Sequence, residues 1–232
     1  MKALLIVFVL IPFLVISQNS FDKGEKLFKE GKFDQASPFF ESFLKSNPSN
    51  LKTLEYLGDI AGYNKSWDKA IIYYKKLKSL KPSEANYYYK YGGVLGMKAK
   101  ESNKIKALGM IGEVKNSFEK TIKLNAKHVE ARWALIELYL QLPAIVGGSE
   151  EKAIQYSDEL KEISPVDGHL SKGHINEYFK RHKEAELEYK RAIIVGGSKV
   201  CYEALSNLYK NKMKEPAKAK VILEQYKKKS NQ

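Results

Sequence analysis

Residues 51–84 read LKTLEYLGDIAGYNKSWDKAIIYYKKLKSLKPSE, and this stretch decides the fold. Leu54, Leu57, Ile60 and Ala61 recur at helical spacing, and Ala70, Ile71, Tyr74 and Leu77 do so again. Between the two runs lies Gly62 to Asp68, a turn, and Pro82 with Ser83 closes the second run. The segment is therefore a helix, a turn and an antiparallel helix.

The same unit recurs along the chain. Gly24, Gly58 and Gly92 are each 34 residues apart, as are Ala36 and Ala70, Phe40 and Tyr74, Pro48 and Pro82, and Ala185 and Ala219. A glycine inside a helix costs about 1 kcal/mol relative to alanine. Three of them at one register mean that a side chain would clash there. Gly58 and Ala70 let two helices approach, and the rings of Phe33, Trp67, Phe40 and Tyr74 fill the space around that contact.

On these residues the chain resembles a tetratricopeptide-repeat protein. Leu54-Leu57-Gly58, Ala70, Tyr74 and Pro82 follow that family's pattern, as do Gly24, Leu27, Phe33, Ala36, Phe40 and Pro48. The distance of 12 from Gly to Ala repeats at Gly24–Ala36, Gly58–Ala70 and Gly173–Ala185. Gly92 pairs with Val114 and Ile136 with Ala153, which adds about ten and five residues; Asn207 and Ala219 keep the 12 with Asn in the place of Gly. The resemblance implies an all-α, right-handed superhelical solenoid of about six antiparallel helix pairs, over approximately 17–50, 51–84, 85–128, 129–165, 166–199 and 200–232.

The start of the chain does not fit the repeat. Lys2 precedes an apolar run from Ala3 to Ile16, and the small Val15 and Ser17 suit an export signal over residues 1–17, cleaved before Gln18. The expected location is periplasmic or secreted. Composition excludes several classes. A single cysteine, Cys201, rules out a disulfide framework and any Cys-based zinc site. The 44% apolar content supports a core, and the 40 Lys and Arg against 27 Asp and Glu, a net charge of +13, suit an anionic surface.

The resemblance also places positions 2, 5, 9 and 12 of each unit on the concave face. These include Glu25, Lys52, Glu55, Asp59, Tyr89, Glu130, Trp133, Glu137, Asp167, His174 and Glu177, with Cys201, Ala204, Leu208 and Asn211 in the sixth unit. Seven of the 24 positions are acids and one is lysine, the reverse of the chain's overall balance. The expected site is a groove of Glu55, Asp59, Tyr89, Glu130, Trp133, Glu137, His174 and Glu177 that takes a protein or peptide with basic residues, anchored on Trp133 and Tyr89. Acids stand where relatives that clamp acidic chaperone tails carry bases, so that ligand is not expected. The sign is also wrong for nucleic acid.

No catalytic, cofactor or metal motif is found. His169 and His174 are five apart, which misses the one-face spacing of paired helical ligands, and the Gly pairs at 147–148 and 196–197 lack a following Gly-Lys-Ser/Thr. The expected function is non-catalytic binding. The alternative is an envelope protein whose basic convex face and insertion lip, Lys98, Lys100, Lys104 and Lys106 among Ile105, Leu108, Met110 and Ile111, hold an anionic surface or glycan.

Overall fold

A computed structural model describes residues 20–230. The proposed export signal, residues 1–17, lies outside them. The described residues form helices joined by short turns and contain no strand. They fall into two compact units, one ending at Leu124 and one beginning at Asn125.

The first unit holds helical residues 20–29 (α1), then α2 (Phe33–Ser46), α3 (Leu51–Tyr63), α4 (Trp67–Leu80), α5 (Ala85–Glu101) and α6 (Lys104–Leu124). Local chemistry sets the boundaries. Asn50 caps α3 by accepting from the Thr53 backbone N–H at 2.9 Å, and Thr53 donates its hydroxyl to the same oxygen. At the far end the Ser66 N–H reaches the Ala61 carbonyl at 2.8 Å across a left-handed Lys65, φ +53°. The turn is thus shorter than the Gly62–Asp68 expected from sequence, because both helices run on into it.

The small-to-large contact read from the repeat is present. A Cβ on Gly58 would lie 2.8 Å from the Tyr74 ring, and one on Gly24 2.9 Å from Phe40. In the third pair Gly92 meets Phe118 and Ser117 in the same way, so the added residues lengthen the hairpin without moving this contact. They are helical: α5 and α6 have 17 and 21 residues against 13 and 14 in α3 and α4. The apolar side of this hairpin is only partly tucked in, with Ile105 85% exposed.

The second unit holds α7 (Val129–Gln141), a 3₁₀ turn Ala144–Val146, α8 (Glu150–Ile163), α9 (Pro165–Tyr178), α10 (His182–Val195), α11 (Lys199–Asn207), a π-helical segment Leu208–Met213 and α12 (Pro216–Ser230). Ser149 caps α8 by accepting from the Lys152 N–H, as the Pro143-to-Ser149 sequence implies. In α7–α8 the sizes at the close contact are exchanged. Ile136 is fully buried, and Ser157 stands where the first, second, third and fifth pairs place a ring, at Phe40, Tyr74, Phe118 and Tyr189.

The sixth pair departs from the expected register. Asn207 is exposed, while Ser206 is buried and donates its hydroxyl to the Ala219 carbonyl at 3.1 Å. Cys201 and Leu208, expected on the concave face, are fully buried in a core with Leu205, Tyr209, Ala219, Ala185 and Tyr189. The π turn after Asn207 adds a residue to the helical repeat and shifts the faces.

Candidate functional site

In the first unit α3 sets Glu55 and Asp59 one turn apart, and Lys90 from α5 closes on both. Its Nζ lies 2.8 Å from Glu55 and 2.8 and 2.9 Å from the two Asp59 oxygens. Tyr74 of α4 donates its hydroxyl to Asp59 as well. Burial works against the Lys90 charge, but the bonds to Asp59 and Glu55 outweigh it and raise the pKa. Burial, then the Asp59 charge, holds the Tyr74 phenol protonated far above its ordinary range.

Glu25 is held in the same way. Lys52 and the Tyr56 hydroxyl bond it, and these contacts lower its pKa to about 2. Tyr89 is half-buried, with its ring 6.0 Å from that of Phe118. Glu25, Glu55 and Asp59 are therefore neutralised from within. Lys90 was not among the expected positions. It neighbours Tyr89 in sequence, and its length carries the charge back to the preceding pair.

In the second unit α7 and α9 bring the remaining candidates together. Trp133 donates its indole N–H to Asp167 at 2.8 Å, and Asp167 also accepts from Ser164 at 2.6 Å. One side of the Trp133 ring packs on the core of α9–α12, and its centroid is 6.3 Å from that of His174. His174 Nε2 lies 2.9 Å from Glu137, whose hydrogen bond raises the imidazole pKa against the opposing effect of burial. Glu177 accepts from the Tyr189 hydroxyl at 3.0 Å, with Lys212 at 3.9 Å. Glu130 is the most exposed of these acids, its side chain 65% accessible, with His128 at 3.2 Å.

A cleft of about 330 Å³ opens beside this row, lined by His174, Glu177, Tyr178, Lys180, His182 and Lys212 among others. Its walls carry both signs of charge and one exposed ring, which suits a polar chain segment. The other histidines are occupied. His128 caps α7 by accepting from the Ala131 N–H, and His169 Nδ1 lies 2.7 Å from Glu188. Among the described residues no three His, Cys, Asp or Glu side chains are grouped to hold a metal ion.

A helix–turn–helix repeat with small residues against rings defines a class. Residues 21–85 match the family model for the tetratricopeptide repeat. Solved structures extend the likeness over most of the chain. A tetratricopeptide repeat protein from Parabacteroides merdae ATCC 43184 superposes with a TM-score of 0.67 at 19% identity, covering 90% of this chain and 78% of that one. MamA gives 0.61 at 25% identity, covering 81% and 96%. YrrB, described as a tetratricopeptide-repeat protein with an unusual peptide-binding site, gives 0.55 at 16% identity, covering 80% and 88%. Comparison with curated proteins finds no match. Residues 21–85 thus carry the tetratricopeptide repeat, and the chain shares the fold of tetratricopeptide-repeat proteins over most of its length.

Proposed function

We propose that this chain is an exported, non-catalytic scaffold that holds a protein or peptide partner on the first-helix face of its second unit. The observation that supports this most is the row of Trp133, Glu137, His174 and Glu177 across α7 and α9, beside an open cleft. Glu130 and Glu137 remain partly exposed there, 65% and 47% by side chain. A partner segment carrying lysine or arginine beside an apolar anchor complements them. The corresponding acids of α3 are already bonded to Lys90, so the second unit carries more of the selectivity. Peptide binding by YrrB, a structural neighbour, is consistent with the reading.

Affinity capture tests it. The tagged protein is used to draw partners from envelope and secreted fractions, with washes at low and then high salt. A discrete protein that survives high salt and is lost with Trp133→Ala combined with Glu137→Lys supports the scaffold. Capture of the same partners by that double variant overturns the assignment of the site. Export is tested separately: the amino terminus of the accumulated protein should be Gln18, and a retained Met1 in the cytoplasm refutes it.

A further inference from the structure

We propose that the tip of the α5–α6 hairpin docks on an anionic phospholipid surface, an activity separate from partner binding by the second unit. The preceding pair reaches only part of the way along this hairpin. Trp67 donates its indole N–H to Glu101 at 2.6 Å and Asp68 bonds Lys98, so the residues from Ser102 into the first turns of α6 extend past that support. Asn103 starts α6 by accepting from the Lys106 N–H at 3.0 Å, which fixes the tip as a formed helix end.

The inward ridge of α6 is Val114, Ser117, Phe118 and Thr121, continued at the tip by the half-buried Ala107, Met110 and Ile111. The opposite face presents Ile105, 85% exposed, and Leu108, 48% exposed. Gly109 and Gly112 share that face, and a Cβ on either would meet nothing within 4 Å. Packing therefore does not require them, yet each weakens the helix. They leave the apolar pair standing clear of its surroundings.

The charges around the pair are mostly positive. Lys100, Lys104 and Lys106 are exposed, and no ion pair with an acid is found for them among the described residues. Glu101, the nearest acid in sequence, is turned toward Trp67, whose indole N–H it accepts. The first turn of α6 holds no acid, so Lys104 and Lys106 sit at the positive end of the helix, where cations are disfavoured. The fold gains nothing from this placement. A convex tip with two large apolar side chains between lysines complements a surface that is anionic outside and apolar a few ångströms beneath.

Sedimentation of the full chain with vesicles tests this. Vesicles of phosphatidylcholine containing about one part in three phosphatidylglycerol are compared with phosphatidylcholine alone, which measures any binding by the apolar amino-terminal run. Each lysine near such a surface strengthens binding by about fivefold, and salt screens the effect. Lys104→Glu with Lys106→Glu should weaken binding to the anionic vesicles at least about tenfold, and Ile105→Ser with Leu108→Ser should do so too. Both variants should keep the helical circular dichroism and thermal midpoint of the parent, since the four side chains are exposed. Equal binding to the two lipid mixtures overturns the proposal, as does undiminished binding by either variant.

Discussion

The α3–α4 and α7–α8 pairs solve the same packing problem with opposite residues. In α3–α4 a glycine, Gly58, faces a ring, Tyr74, whose hydroxyl reaches Asp59. In α7–α8 the fully buried Ile136 takes the glycine's place, and Ser157 takes the ring's, turning its hydroxyl to Ser171 at 2.8 Å and to the Gly168 carbonyl. Total volume is conserved while residue type is not. The exchange also changes the charge on the face. Asp59 is bonded by a tyrosine and a lysine, whereas Glu137, with no tyrosine opposite, is bonded by His174. One face is neutralised by a permanent cation and the other by a titratable one.

The exchange is broken most severely at Ile136. Ile136→Gly leaves a cavity opposite a serine that cannot fill it, and adds a helix-interior glycine. The expected cost is about 3–5 kcal/mol, read as a fall in the urea midpoint. A loss below about 1 kcal/mol would show that the pair collapses around the gap. Lys90→Met comes next. It leaves Glu55 and Asp59 facing each other without a cation and costs about 2 kcal/mol at neutral pH. Because a quarter of the Lys90 side chain is exposed, solvent screening limits the effect. Thermal melts of variant and parent at neutral pH measure it.

Glycines of the two environments should respond with opposite signs. Gly58→Ala gains about 1 kcal/mol of helix propensity but forces the Tyr74 ring to move, at a cost of about 1–3 kcal/mol, so the net is a loss of about 1 kcal/mol. Gly112→Ala has nothing to displace and should stabilise by up to about 1 kcal/mol. Thermal melts of the two variants side by side decide it. If both stabilise, the ring over Gly58 is looser than its geometry indicates.

This pair of glycines also shows what the sequence discloses. A glycine at period 34 announces the close contact, because only packing makes its cost worthwhile, and so the helix pairs were readable at Gly24, Gly58 and Gly92. The register of the sixth pair was not. Asn207 keeps the spacing to Ala219, but the π turn that follows it is a backbone event without a residue signature, and it buries Cys201 and Leu208. The candidate site was legible as positions and not as partners. Counting acids on the first helices finds Glu55 and Asp59, yet their charge is cancelled by Lys90, which is just off the counted positions and reaches them only through a long side chain. Trp133 was identified as an anchor, and part of its ring is committed to the core and its indole N–H to Asp167.

The smallest expected effect separates the two faces by pH. Hydrogen bonding to Glu137 raises the His174 pKa above its ordinary 6.5, so the folded chain holds that proton more tightly than the unfolded one. The stabilisation is fully present below the unfolded value, provided Glu137 stays ionised, and it is lost as pH rises through the folded value. Glu137→Gln removes the carboxylate. The variant should melt below the parent near pH 5.5 and match it near pH 8.5. With 37% of the His174 side chain exposed, the difference is a few tenths of a kcal/mol. Over the same interval the Lys90→Met deficit should stay constant, because the lysine keeps its charge at both ends. A deficit for Glu137→Gln that is equally flat would mean that the histidine is neutral throughout, and that the Glu137 contact does not depend on its charge.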